Sequence, residues 1–99
     1  MLKIIKVTGN SLSPILFPGE YALIWRVPFR FKKLVPGDLV VFDHEKYGRL
    51  IKQVVDNNPA EKFIETEGIH PASLSAEKIG TIPYTNIVGK VLRIFRRPS

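Results

Sequence analysis

The chain has 99 residues, no cysteine and a formal net charge of +6 at neutral pH. This length is that of one domain, so we predict a single domain over residues 1–99. The lack of cysteine excludes disulfides, thiolate nucleophiles and zinc sites with sulfur ligands. The positive charge is compatible with several kinds of acidic partner and does not choose among them.

Alternation of apolar and polar residues dominates the chain, and no window repeats apolar residues at the spacing of a helix. We therefore predict an all-β domain of mainly antiparallel sheets. In chain order, the predicted strands are Lys3–Val7, Tyr21–Val27, Leu39–His44, Arg49–Asp56, Lys62–Glu67 and Ile87–Phe95.

Turn-forming residues separate these strands. Pro18-Gly19 and Pro36-Gly37 precede the second and third strands, and Tyr47-Gly48 predicts a hairpin between the third and the fourth. The segment from Asn57 to Ala60 predicts a further turn, and residues 68–83 predict an irregular stretch.

The apolar runs are far shorter than the ~20 residues that a membrane-spanning helix needs. The first residues carry charges inside their apolar stretch, unlike a secretory signal. We therefore expect a cytoplasmic protein with neither a signal peptide nor a transmembrane segment.

Basic residues are interleaved with aromatic residues between Trp25 and Lys33. This mixture is typical of peripheral contact with an anionic membrane, and equally of a solvated hairpin with partly packed aromatic rings. The sequence leaves both interpretations open.

Lys52 has apolar neighbours on its own face of the fourth predicted strand, because alternation places Leu50, Lys52 and Val54 together. Most lysines in such positions lay their stem along an apolar surface and keep the ammonium group in water. Taken alone, Lys52 does not indicate a function.

A serine follows a glycine closely in the segment Gly9-Asn10-Ser11-Leu12-Ser13-Pro14, directly after the first predicted strand. Glycine permits unusual backbone angles and leaves amide groups unobstructed, as an oxyanion site requires. The same residues are also ordinary turn formers. A serine nucleophile needs a base, and the candidates are His44, His70, a carboxylate or a neutral lysine.

Neither histidine has an obvious orienting partner in the sequence. His44 lies between two acidic residues near the predicted hairpin, where we expect a solvated surface side chain. His70 lies close to Ser73, which keeps a serine–histidine mechanism open as an alternative. The histidine, aspartate and glutamate residues show no metal-ligand spacing, so we expect no metal and no cofactor.

Four segments in order carry a resemblance to a known family: Gly9-Asn10-Ser11-Leu12-Ser13-Pro14, Gly37-Asp38-Leu39-Val40-Val41, Lys52-Gln53-Val54-Val55, and the stretch from Gly68 to Lys90. Together they resemble the signal peptidase I family and the related self-cleaving repressors of the bacterial DNA-damage response. The resemblance implies a domain of coiled, mainly antiparallel β-sheets, with Ser11 as nucleophile and Lys52 as general base.

The fourth segment both matches the family and departs from it. Ser73 corresponds to the serine whose hydroxyl helps to orient the lysine, and Gly89-Lys90 to a later Gly-Lys pair. Ser75 and Glu77 stand where the family has an aspartate and an arginine that look like an ion pair.

The resemblance implies a serine endopeptidase that cleaves an extended leader or signal-type segment of a protein substrate. The backbone amide of Ser11 would help to bind the oxyanion, with Gly9 and Asn10 beside it. The short chain looks like the anchorless branch associated with maturation of nickel-containing superoxide dismutase. The alternative is an inactive relative that only binds peptide or nucleic acid, although we do not expect nucleic acid to be the partner.

Overall fold

A computed structural model of the chain describes residues 1–6, 20–26, 28–67 and 79–95. Within these ranges the chain forms seven strands and two short 3-10 helices. The strands are β1 (Leu2–Lys6), β2 (Tyr21–Trp25), β3 (Leu39–His44), β4 (Gly48–Asn58), β5 (Phe63–Glu67), β6 (Ile82–Pro83) and β7 (Ile87–Phe95). The first 3-10 helix covers Pro28–Lys33 and the second covers Tyr84–Asn86.

The described strands form one open sheet in the order β1-β2-β7-β3-β4-β5-β6, and every pair in it is antiparallel. The all-β prediction is confirmed. The hairpin between β3 and β4 is also confirmed: it turns at residues 45–47, and Gly48, the first residue of β4, has a φ of 75° that suits a residue without a Cβ.

The predicted boundaries match the observed ones for two strands. β3 and β7 cover the predicted residues, whereas β4 continues to Asn58, so the turn predicted from Asn57 to Ala60 begins two residues later than predicted. The Asn57 side chain donates hydrogen bonds to the carbonyls of Phe31 and Leu34 at 2.9 Å each, and these tertiary bonds outweigh its turn preference. The turn follows at residues 59–62.

One strand was not predicted. β6 is only two residues long and contains Pro83, so it lacks the alternation that predicts a strand. It lies in the stretch predicted to be irregular and pairs with the start of β5. Val7, Pro18-Gly19 and Val27 lie outside the described residues.

Both faces of the sheet are covered by apolar side chains. One face carries the larger core, formed by Phe31, Leu34, Val40, Phe42, Leu50, Val54, Ile64, Ile79, Ile82 and Ile87. The opposite face carries a smaller core, formed by Ile5, Ala22, Ile24, Val41, Ile51 and Val88. Alternation along β3 and β4 therefore divides their residues between two buried surfaces.

The basic and aromatic segment, for which the sequence left a solvated hairpin and a membrane-contacting surface open, forms the first 3-10 helix. Phe31 is only 4% exposed, and its ring meets the Tyr84 ring edge-on at 5.9 Å. This ring belongs to the larger core, so it is not available for insertion into a membrane. No helix in the described part of the chain is long and apolar enough to cross a bilayer.

Candidate functional site

Lys52 is a buried lysine on the face of β4 that carries the larger core. It lies between Leu50 and Val54 along the strand and opposite Val40 of β3, which is fully buried. The Lys52 side chain is itself only 6% exposed. The predicted alternation is confirmed. Unlike most lysines beside apolar residues, Lys52 is not exposed to solvent.

The surroundings of Lys52 disfavour its charged form. Burial lowers the pKa of Lys52, because an ammonium group loses its hydration among apolar side chains. No described residue forms an ion pair or hydrogen bond with its Nζ that would offset this loss. A lysine with a lowered pKa is more often neutral, and a neutral amine can accept a proton.

The other predicted site residues lie outside the part of the chain that the structure describes. They are Gly9, Asn10, Ser11, Ser73 and the alternative base His70. Their roles therefore remain predictions. The described strands fix only the two ends of the segment that carries Ser11, because Lys6 of β1 pairs with Tyr21 of β2.

Two further motif residues, Asp38 and Lys90, form an ion pair that the sequence did not predict. Lys90 of β7 lies opposite Val40, on the side away from Lys52, and its Nζ is 3.4 Å from Oδ1 of Asp38. Asp38 also accepts a hydrogen bond at 3.0 Å from the backbone amide of Val35. Three of the four matching segments therefore adjoin one another on neighbouring strands.

Gly89 has a packing reason for lacking a side chain. A Cβ at this position would lie 3.0 Å from the carbonyl oxygen of Trp25 and 3.3 Å from Cδ1 of Ile24. Glycine thus lets β7 approach β2 closely, which sets the position of Trp25 beside Lys90.

His44 is a structural residue, which corrects the expectation of a solvated side chain. Its Nδ1 accepts hydrogen bonds from the amides of Lys46 and Tyr47, at 3.0 and 3.3 Å. Its Nε2 is 3.0 Å from the carbonyl oxygen of Ile79 and donates to it, since Nδ1 already acts as acceptor. The imidazole thus connects the hairpin to a distant segment, and both of its nitrogens are occupied.

The Thr66 hydroxyl is a buried polar group without a hydrogen-bond partner among the described residues. Thr66 is 1% exposed and lies opposite Val54, so its side chain is on the same face of the sheet as Lys52. A buried hydroxyl without a partner reduces stability by about 1 to 3 kcal/mol.

The described residues contain no group of three or more His, Asp or Glu side chains that could hold a metal ion. Comparison of the chain with protein-family models, with curated proteins and with solved structures found no match. A functional assignment therefore depends on the residues themselves.

Proposed function

We propose that the protein is a serine endopeptidase in which Lys52 acts as general base for Ser11. One observation carries the proposal: a lysine with a lowered pKa is buried on an apolar face, without a carboxylate among the described residues to pair with it. Such a lysine is costly to keep in a small domain, and proton transfer is a function that explains the cost.

The proposed chemistry uses two side chains. Neutral Lys52 removes the Ser11 proton, the Ser11 oxygen attacks a peptide carbonyl, and the resulting ammonium group protonates the leaving amine. Water then hydrolyses the acyl-enzyme with the same amine as base. Ser73 would hold the ammonium form, and the backbone amide of Ser11, beside Gly9 and Asn10, would help to bind the oxyanion.

The chain has enough length to bring Ser11 to Lys52. β1 and β4 are four strand spacings apart, at about 4.8 Å each, and Lys6 lies four residues along β1 from the row that contains Lys52. In a flat sheet the Cα atoms of Lys6 and Lys52 would therefore be roughly 23 Å apart. Five extended residues beyond Lys6 span about 17 Å, and the two side chains cover the remainder. Coiling of the sheet shortens the separation further.

The proposal is tested by incubating the protein with a mixed peptide library and identifying the products by mass spectrometry. We expect cleavage by the wild-type protein and none by Ser11→Ala or Lys52→Met. Lys32→Met is the matched control, because it makes the same chemical change at an exposed position and should leave cleavage unchanged. Equal product yields from wild type and Ser11→Ala would refute the proposal and favour the inactive, peptide-binding alternative.

The pH profile gives a second test. The rate at low substrate concentration should rise with pH as Lys52 loses its proton, and the lowered pKa of Lys52 places that rise below the range of an ordinary lysine. A rate that follows only the titration of a histidine would instead support the serine–histidine alternative.

A further inference from the structure

A small pocket lies between the first 3-10 helix and the sheet. Its volume is about 110 Å³, and its lining includes Trp25, Arg30, Phe31, Lys33, Asp38 and Lys90. We call it the basic pocket. It does not include Lys52, and the proposed catalytic chemistry does not use it.

The basic pocket has an excess of positive charge. Asp38 is paired with Lys90 at 3.4 Å, so these two charges largely neutralise each other. Arg30 and Lys33 remain, and the Arg30 guanidinium lies over the Trp25 ring, 5.3 Å from its centre. A guanidinium held against a ring keeps its N–H donors at the edge, where a carboxylate can bind them.

The size of the basic pocket limits what it can bind. Sites for cofactors and drug-sized ligands have volumes of about 300 to 1,000 Å³, whereas this pocket has about 110 Å³. It has room for one side chain and not for a nucleotide. The apolar walls formed by Trp25 and Phe31 suit the methylene groups of an acidic side chain, and the cations suit its carboxylate.

The position of the basic pocket relates it to Lys52. Trp25 pairs with Lys90, Lys90 with Val40, and Val40 with Lys52, so these residues form one row across four strands. At about 4.8 Å per strand, the Cα atoms of Lys90 and Lys52 are roughly 10 Å apart. An extended peptide covers that distance in about three residues.

We propose that the basic pocket binds an acidic side chain of the peptide substrate, at least about three residues from the bond that is cleaved. That the ligand is a substrate rests on the proposed peptidase function. The preference of the pocket for a carboxylate can be measured without any cleavage.

Trp25 provides a direct measurement, because it is the only tryptophan in the chain and lines the pocket. The Ser11→Ala protein is titrated with two blocked alanine peptides that differ only in carrying a central glutamate or glutamine. Tryptophan fluorescence and titration calorimetry follow the binding. The glutamate peptide should bind about tenfold more tightly, as expected for a charge-assisted hydrogen bond.

Two matched variants separate the pocket from the overall positive charge. Lys33→Gln removes a pocket cation, whereas Lys32→Gln removes the same charge from the neighbouring exposed residue, which does not line the pocket. Lys33→Gln should lose most of the preference for glutamate, and Lys32→Gln should retain it. Equal affinities for the two peptides, or equal losses in the two variants, would overturn the proposal.

Cleavage assays distinguish this proposal from the peptidase function. Wild-type cleavage should be fastest for peptides with glutamate at least about three residues from the cleaved bond, and Lys33→Gln should remove that dependence. A glutamate preference in binding without any cleavage would support the pocket and remove the peptidase function. Cleavage at a rate that does not depend on glutamate at any position would support the peptidase function and refute the proposed role of the pocket.

Discussion

Replacing Lys52 with methionine tests whether the fold carries a cost for keeping this lysine buried. Methionine has a similar length and is apolar, so it fills the space between Leu50 and Val54 without an amine. The wild-type side chain is 6% exposed, and its pKa is lowered by burial. We therefore expect Lys52→Met to abolish cleavage and to make the protein more stable.

The magnitude follows from the desolvation of the charged group. Burying a charge without a partner costs several kcal/mol even after the protein relaxes around it, and each unit by which a pKa is lowered corresponds to about 1.4 kcal/mol. We expect Lys52→Met to raise the free energy of unfolding by about 1 to 3 kcal/mol at neutral pH. In a domain of this size, the melting temperature rises by roughly 4 to 8 °C per kcal/mol.

The stability gain should depend on pH with a defined sign. The folded-state pKa of Lys52 is lowered from its ordinary value of 10.5, which applies to the unfolded chain. Below the folded-state pKa the wild type carries the whole penalty. Between the two pKa values the unfolded chain binds more protons, so wild-type stability rises with pH. The advantage of Lys52→Met therefore shrinks as pH approaches 10.5 and vanishes above it.

The assay is urea unfolding of wild type, Lys52→Met and Lys32→Met at several pH values. Lys32→Met makes the same change at an exposed site and should alter stability by less than about 0.5 kcal/mol. A Lys52→Met protein that is no more stable than the wild type would refute the desolvated-lysine explanation. A gain that stays constant up to pH 10.5 would refute it as well.

Three further substitutions test the packing around the site. Thr66→Val removes the buried hydroxyl that lacks a partner among the described residues, so unfolding in urea should show a gain of about 1 to 3 kcal/mol in stability, and a loss would show that the hydroxyl is bonded. Asn57→Ala removes the bonds that hold the first 3-10 helix and should cost about 2 kcal/mol, whereas an unchanged melting temperature would contradict this anchoring role. Gly89→Ala places a methyl group against the Trp25 backbone and should cost about 1 to 3 kcal/mol. An unchanged Trp25 emission spectrum in that variant would contradict the close approach.

The strands were predictable where a run of apolar, β-branched residues coincides with burial in the folded chain. β3 and β7 carry apolar residues on both faces of the sheet, and their boundaries match the predicted ones. β6 could not be predicted, because its two residues become a strand only through pairing with β5. Asn57 was assigned to a turn because its side chain favours turns, whereas its hydrogen-bond partners are more than 20 residues away in sequence.

The candidate site shows the same division. The face of the strand that carries Lys52 was predictable, since a period of two residues places it with Leu50 and Val54. The pattern alone did not predict that Lys52 is buried, because burial depends on β3 and on the segments that cover that face. Only the resemblance implied it, since a lysine that acts as general base has to be neutral. His44 was misjudged for a related reason: its acidic neighbours suggested exposure, whereas Ile79, 35 residues away, partners its ring.

The sequence by itself determined the class of fold, the direction in which Lys52 points and the residue types that could act as nucleophile and base. Periodicity and turn chemistry are local properties, so neighbouring residues encode them. Only the tertiary structure decided that Lys52 is buried and that Asp38 pairs with Lys90. Both depend on strands that adjoin in space and not in sequence, and hydration is lost only when other parts of the chain cover a side chain.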